Sequence, residues 1–310
     1  MSWQPSASIE SLQQRAKLNA YIREFFALRH VLEVETPVLS RAAVDDANLQ
    51  PVVAQACGET SFLHTSPEYP MKRLLAAGSG DIYQICKVFR DGEQGRRHNP
   101  EFTMLEYYRR NFDLRSLMDE VAQLIGDFLM IQRRVDLSYA QALKQYAQLD
   151  VFNCDDEILR QRCAEFVGDD LQLTRDECLD IIMSHVVEPA LPKDALVMIY
   201  HYPASQAALA QTFIAEGDVP LAKRFELYVN GLELANGYHE LTDPLEQQQR
   251  FLQQTQKHNE QRPLDQNFLD ALQHGLPDCS GVAIGLDRIL MLKLKTNDIA
   301  SVISFDHSRA

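Results

Sequence analysis

No stretch of this chain of 310 residues approaches the roughly 20 consecutive apolar residues that a membrane-crossing helix needs. The six cysteines, Cys57, Cys86, Cys154, Cys163, Cys178 and Cys279, are scattered and form no CxxC pair. That spacing argues against a disulfide framework or a cysteine-based zinc site, so reduced thiols in the cytosol are expected. Glycine and proline, 13 of each, gather into no tract, and no linker, repeat or low-complexity segment is expected. Basic residues are the minority, 30 against 44 acidic ones, for a formal charge of −14. A uniformly acidic body does not draw polyphosphate from a distance, which weighs against a nucleic-acid partner beyond a local patch. The opening residues lack a cationic-then-apolar pattern, so no targeting leader is expected.

What is present reads as helices in blocks and strands in hairpins. Residues 8–30 carry Ile9, Leu12, Leu18, Ile22, Phe25 and Phe26 at helical spacing, with Ser8 as N-cap. Residues 31–39, with Pro37, turn extended, and strand pieces surround the Cys57-Gly58 turn. Ser66-Pro67-Glu68 reads as a helix start with Ser66 as N-cap and proline at the first helical position. Strands are expected at Ile82–Arg90, Glu101–Arg109, Leu196–His201 and Phe225–Gly237, and helices at Leu114–Met130, Pro244–Asn259 and Asp265–Gly275. Residues 138–190 read as a mostly helical insertion. A glycine-rich strand and the helix Asp287–Leu294, with Asp287 as its cap, close the chain. Such segregation favours a single α+β domain with an antiparallel sheet flanked by helices.

Three constellations carry chemistry. On the strand after the 91–98 loop, period-two alternation puts Phe102, Met104, Glu106 and Tyr108 on one face, with Phe102 and Glu106 about 13 Å apart. That is the length scale of an aminoacyl-adenylate; the plainer alternative is a half-buried strand whose glutamate meets solvent. In RFELYVNGLELANGYHELTD, from Arg224 to Asp243, Asn230-Gly231 marks a two-residue hairpin turn. Simple register pairs Glu226 with Ala235 and leaves Glu226 and Glu233 as diagonal neighbours able to share Mg²⁺. The alternative is two exposed glutamates. Parity puts Asn236 and Glu240 on the opposite face unless a bulge intervenes, for which Gly237 is the natural place. In CSGVAIGLDRILM, Gly281 and Gly285 would let a ligand approach the strand, and Arg288 in the first helical turn calls for an anion.

Together these strings resemble the catalytic domain of class IIb aminoacyl-tRNA synthetases, most closely the lysyl enzymes, over nearly the whole chain. VLEVETPVLS with Pro37 is similar to motif 1, the dimer-forming segment, FRDGEQGRRHNPEFTMLEYY to motif 2, and GVAIGLDR to motif 3. The resemblance implies ATP and Mg²⁺ as cofactors and a homodimer. It implies that Arg90 binds the α-phosphate and Arg288 clamps the γ-phosphate. Phe102 would stack on adenine within an ATP site that also includes Asp91, Gly92, His98, Asn99, Glu233, Leu234 and Gly285. Glu226 and Glu233 would hold the metal. Glu106 and Tyr108 would read a lysine-like ammonium, with Ser66, Pro67, Glu68, Asn236, Glu240 and Ala283 lining the rest of the pocket.

Three departures refine the expectation. Motif 1 begins around residue 31, leaving no room for the anticodon-binding OB domain of the lysyl enzymes. Arg90-Asp91-Gly92 stands for the family's Arg-Asn-Glu, with Glu93 one place late, and Ala283 stands where glycine is usual. This pattern resembles the stand-alone paralogues that activate (R)-β-lysine and transfer it to a lysine of elongation factor P, a protein shaped like tRNA. The implied partners are elongation factor P, β-lysine and ATP, with tRNA and membrane not expected. The competing readings are a truncated lysyl enzyme that charges tRNA and a non-catalytic regulator; retention of Arg90, Arg288, Glu226 and Glu233 weighs against the regulator.

Overall fold

The computed structural model describes residues 3–44, 49–168, 173–257 and 264–310. The chain divides into two compact units, Met1–Leu117 with Glu240–Ala310, and Met118–His239. The first holds β1 (Leu32–Glu33), β2 (Leu39–Ser40), β3 (Val53–Ala56), β4 (Glu59–Leu63), β5 (Ile82–Phe89), β6 (Glu101–Arg110) and, after the second unit's residues, β12 (Cys279–Gly285). The second holds β7 (Arg134–Ser138), β8 (Leu196–Pro203), β9 (Thr212–Ala215), β10 (Val219–Val229) and β11 (Leu232–His239).

In the first unit β5, β6 and β12 run antiparallel, and β1 joins β5 in parallel. Alternation along β5 and β6 splits their side chains between two faces. Tyr83 and Tyr107 turn to the helix Ile9–Ala27, where Phe26 stacks on Tyr83 with ring centroids 4.4 Å apart and meets Tyr107 edge-on at 4.9 Å. The other face carries Glu106 and Tyr108. Ser8 caps that helix as expected, accepting from the Ser11 amide at 3.1 Å. β2, β4 and β3 form a separate antiparallel sheet, turned at Cys57 and Gly58, both at positive φ.

In the second unit β8, β10 and β11 are antiparallel, β9 pairs with β10, and β7 joins β8 in parallel. Each unit thus ends in one parallel pair, and the sheet architecture is mixed rather than purely antiparallel. Helical segments between Tyr139 and Ala190 bury Leu143, Leu159, Cys163, Leu179 and Val187 in a core shared with Val197, Ile199 and Tyr228.

β7 and β9 have no counterpart in the sequence reading, and residues 31–39 yield only the two-residue β1 and β2. The helix expected at Pro244–Asn259 is described from Pro244 to Lys257; its last two positions, like 169–172 of the helical stretch, lie outside the described residues. Among the described residues no helix is long and apolar enough to cross a membrane.

Candidate active site

The first unit builds an amine pocket from β6, β12 and the helix Glu68–Ala76. Glu106 is buried, 2% exposed, and its carboxylate accepts from the Tyr108 hydroxyl at 2.6 Å and the Ser66 hydroxyl at 2.7 Å. Both hydrogen-bond donors are neutral, and the Lys72 charge acts on it without a direct contact. Burial, reinforced by the nearby Glu68 carboxylate, pushes the Glu106 carboxyl up to about 8. Burial and the adjacent Glu106 also raise the Tyr108 phenol. Register places Gly281 opposite Tyr108 and Ala283 opposite Glu106 on the neighbouring strand, so the Ala283 methyl shares the face of the Glu106 carboxylate.

Gly281 admits no ligand. A Cβ there would lie 2.3 Å from the Tyr108 ring and 2.6 Å from Glu240 Oε1, so the missing side chain makes room for the protein's own tyrosine. Ser66 also departs from expectation. The N-cap of the helix Glu68–Ala76 is Pro67. Ser66 Oγ accepts from the Glu68 amide at 3.0 Å while donating to Glu106, which ties the helix start to the carboxylate.

Deeper in the pocket lies a residue the sequence reading passed over. Lys72, 1% exposed, sets its ammonium 2.6 Å from Glu68 Oε1 and 2.6 Å from Glu240 Oε2. Burial alone would lower its pKa, but the Glu240 and Glu68 carboxylates outweigh that and raise it. Burial lifts Glu240 to about 7 against the pull of Lys72. The i,i+4 spacing of Glu68 and Lys72 on a helix was the available signal.

At the other end of β6, the Arg90 guanidinium lies over the Phe102 ring, 4.9 Å from its centroid. Arg90 Nε is buried with no hydrogen-bond partner, an orphaned donor in keeping with an anion site. The late glutamate of the loop does reach this arginine, with Glu93 Oε1 3.6 Å from Arg90 Nη1. Asp91 Oδ1 accepts from the amide of Gly92, whose φ is +77°. Asn99 is buried and spends its side chain on the fold, donating to the Glu101 carbonyl at 2.7 Å and accepting from the His307 amide at 3.0 Å.

Arg288 Nη2 donates to His98 Nε2 at 2.9 Å, which requires an imidazole unprotonated at that nitrogen. Partial burial and the Arg288 charge lower the His98 pKa accordingly. Gly285 is the N-cap of the helix Leu286–Lys293, and the space beside it borders the Arg288 side chain. Asp287 does not cap that helix. It binds Arg15 and accepts from the Thr103 amide at 2.6 Å, locking the helix start onto β6.

In the second unit the hairpin turns at Asn230-Gly231 with Val229 opposite Leu232 and Tyr228 opposite Glu233, as expected. The bulge falls at Leu234, not Gly237: the next pairs are Leu227 with Ala235 and Glu226 with Asn236. That one-residue shift brings Asn236 onto the face of Glu226.

Glu226 accepts from the Tyr202 hydroxyl at 2.6 Å and from the Tyr228 hydroxyl, and it pairs with Arg224. Arg224 Nε reaches Asn236 Oδ1 at 3.3 Å and Nη1 the Gln206 carbonyl at 2.8 Å. With a guanidinium already on its carboxylate, Glu226 does not fit the role of metal ligand carried over from the family. Among the described residues no group of three or more His, Cys, Asp or Glu side chains is arranged to hold a metal ion.

These features coincide with independent likenesses. The family model for tRNA synthetases class II (D, K and N) matches residues 2–309. Curated proteins named elongation factor P–(R)-β-lysine ligase, from Salmonella dublin and Salmonella paratyphi B, are 49% identical over 322 residues, covering 100% of this chain and 98% of each relative. The chain belongs to the class II tRNA synthetase family of the aspartyl, lysyl and asparaginyl type.

Proposed function

We propose that this protein activates (R)-β-lysine as its adenylate with ATP and transfers the β-lysyl group to the ε-amine of a lysine on elongation factor P. Full-length similarity to ligases of that name supports the reading. The observation that carries it is Glu106, a buried carboxylate held by Ser66 and Tyr108 and left without a cation of its own.

In the first step the amino acid's carboxylate attacks the α-phosphorus in line, and pyrophosphate leaves. In the second, the acceptor lysine's amine attacks the adenylate carbonyl, an amide forms, and AMP leaves. Arg90 on the α-phosphate, Arg288 on the γ-phosphate and Phe102 on adenine supply positioning and charge neutralisation, which can account for most of such a rate. Arg288 meets its anion from beside a neutral His98. Glu233, directly opposite Tyr228 on the β10–β11 hairpin, is the carboxylate that would hold Mg²⁺, which would supply charge neutralisation to phosphate oxygens.

The protein substrate would dock at the loop between β5 and β6, where Arg96 and Arg97 are exposed and the Arg96 carbonyl is pinned by the Ile299 amide at 2.9 Å. A second copy would cover the exposed apolar side chains around motif 1, Leu28, Leu32, Val38 and Leu39. The cytoplasm is the compartment in which both substrates would be met.

Pyrophosphate exchange with (R)-β-lysine, (S)-β-lysine, α-lysine and norleucine tests the reading. Exchange is expected with the lysines, strongest with the (R)-β isomer, and absent with norleucine. No exchange with any lysine, or equal exchange with norleucine, overturns it.

A further inference from the structure

Behind the nucleotide residues, on the opposite face of β6, lies a guanidinium that the proposed chemistry does not use. Alternation along β6 sends Phe102 and Glu106 to one face and Thr103 and Tyr107 to the other, where the helix Ile9–Ala27 packs. Arg15 on that helix pairs with Asp287, donates from Nη1 to Thr103 Oγ1 at 3.2 Å, and donates from Nη2 to the Val302 carbonyl at 2.7 Å. Asp287, 2% exposed, accepts in turn from the Thr103 amide at 2.6 Å. Thr103 follows Phe102 in the chain, and Asp287 precedes Arg288. Val302 ends the short turn Ile299–Val302, whose Ile299 amide donates to the Arg96 carbonyl in the loop between β5 and β6. One side chain thus joins the strand under Phe102, the helix that bears Arg288 and the anchor of the loop between β5 and β6.

The helix Leu286–Lys293 has need of that tie. Its N-cap, Gly285, supplies no side-chain hydrogen bond, and the pairing of β12 with β6 ends at Gly285 opposite Met104. Beyond that pair the backbone ladder no longer fixes where the helix starts. Arg15 and Asp287 take over one turn later.

We infer that Arg15 is a positioning residue for the nucleotide: its planar fork sets the spacing between the Phe102 ring and the Arg288 guanidinium. The inference rests on the roles proposed above for Phe102 and Arg288. Arginine suits the place because a guanidinium presents several donors in one rigid plane, and so serves a carboxylate, a hydroxyl and a carbonyl together. A lysine would keep the charge opposite Asp287 and lose the fork. ATP spans both Phe102 and Arg288 and therefore feels their spacing. AMP and tripolyphosphate each reach only one end of that span.

Calorimetric titration of ATP, AMP and tripolyphosphate into wild type and Arg15→Lys, with no amino acid present, tests this. In Arg15→Lys the Kd for ATP should rise about tenfold, while those for AMP and tripolyphosphate should each change by less than about threefold. In pyrophosphate exchange the same variant should raise KM for ATP and leave KM for (R)-β-lysine unchanged. A general loosening of the fold would weaken all three ligands alike, and that result would overturn the inference. So would an ATP Kd within about threefold of wild type in a folded Arg15→Lys. If Arg15→Lys does not fold, the double variant Arg15→Met with Asp287→Asn, which leaves no unpaired charge behind β6, decides by the same criterion. Wild type that binds no ATP would overturn the nucleotide reading itself, and this inference with it.

Discussion

Glu106 and Glu226 are built alike and left in opposite states. Each is a buried glutamate on a central strand, and each accepts from a tyrosine two residues on, Tyr108 and Tyr228. Each accepts a second hydroxyl from another element, Ser66 for the one and Tyr202 for the other. The difference lies two residues before: β6 has Met104, and β10 has Arg224, whose guanidinium closes on Glu226. Glu226 is thereby a finished ion pair that ties β10, β11 and β8 together. Among the described residues Glu106 has no lysine or arginine within salt-bridge distance, and its burial makes the proton its default partner at neutral pH. An ammonium from outside can replace that proton. A buried carboxylate with its own cation is a brace, and one without is a receptor.

The first way to break this comparison is to remove each carboxylate. Glu226→Ala strands the Arg224 charge and should cost about 3–5 kcal/mol of stability, read by denaturant unfolding. Glu106→Gln should cost little at neutral pH and nothing in alkali. The sign follows from the raised carboxyl: a folded pKa of about 8 against 4.5 disfavours the ionised fold, so Glu106 erodes stability progressively from about pH 4.5 to pH 8. Glu106→Gln should therefore flatten the fall of melting temperature across that window. Equal losses for the two variants would dissolve the distinction between them.

Next in size are the phosphate arginines. Arg90→Ala and Arg288→Ala should each reduce pyrophosphate exchange by about 3–4 kcal/mol of transition-state stabilisation. The fold should be retained in both variants. Exchange within a few-fold of wild type in either variant would remove that residue from the nucleotide site.

The contrast between brace and receptor shows what was legible beforehand. The hairpin at Asn230-Gly231, the pair of strands β5 and β6, and the common face of Glu106 and Tyr108 follow from turn chemistry and period-two alternation, both local properties. The bulge at Leu234 does not, because a register shift depends on which pairs satisfy β8 and β10 together. Placing it at Gly237 rested on glycine's freedom, and that freedom was not what the site required. The Arg224–Glu226 pair was visible as i and i+2 on one strand face, yet Glu226 was assigned to a metal by resemblance. Gly281 was read as an opening for a ligand because its neighbour Tyr108, seven strand positions from Phe89's partner Glu101, is reached only through the pairing of β6 with β12. Lys72 drew no reading from the sequence, because its burial depends on how the helix Glu68–Ala76 packs against Phe268.

The smallest effect sharpens the receptor's shape. Ala283→Gly removes a methyl group opposite Glu106 and should shift the ratio of α-lysine to β-lysine activation toward α-lysine. The change should be modest, at most about 1–3 kcal/mol. An unchanged ratio would mean that this methyl group does not touch the bound amino acid.

The central claim is that Glu106 exchanges a proton for the substrate's ammonium. Titration calorimetry of (R)-β-lysine at pH 7, repeated in buffers of different ionisation enthalpy, measures it directly. With its carboxyl at about 8 in the empty pocket, Glu106 should release about one proton on binding, and Glu106→Gln should abolish both the release and most of the affinity. Equal affinity and equal proton release in wild type and Glu106→Gln would contradict the account.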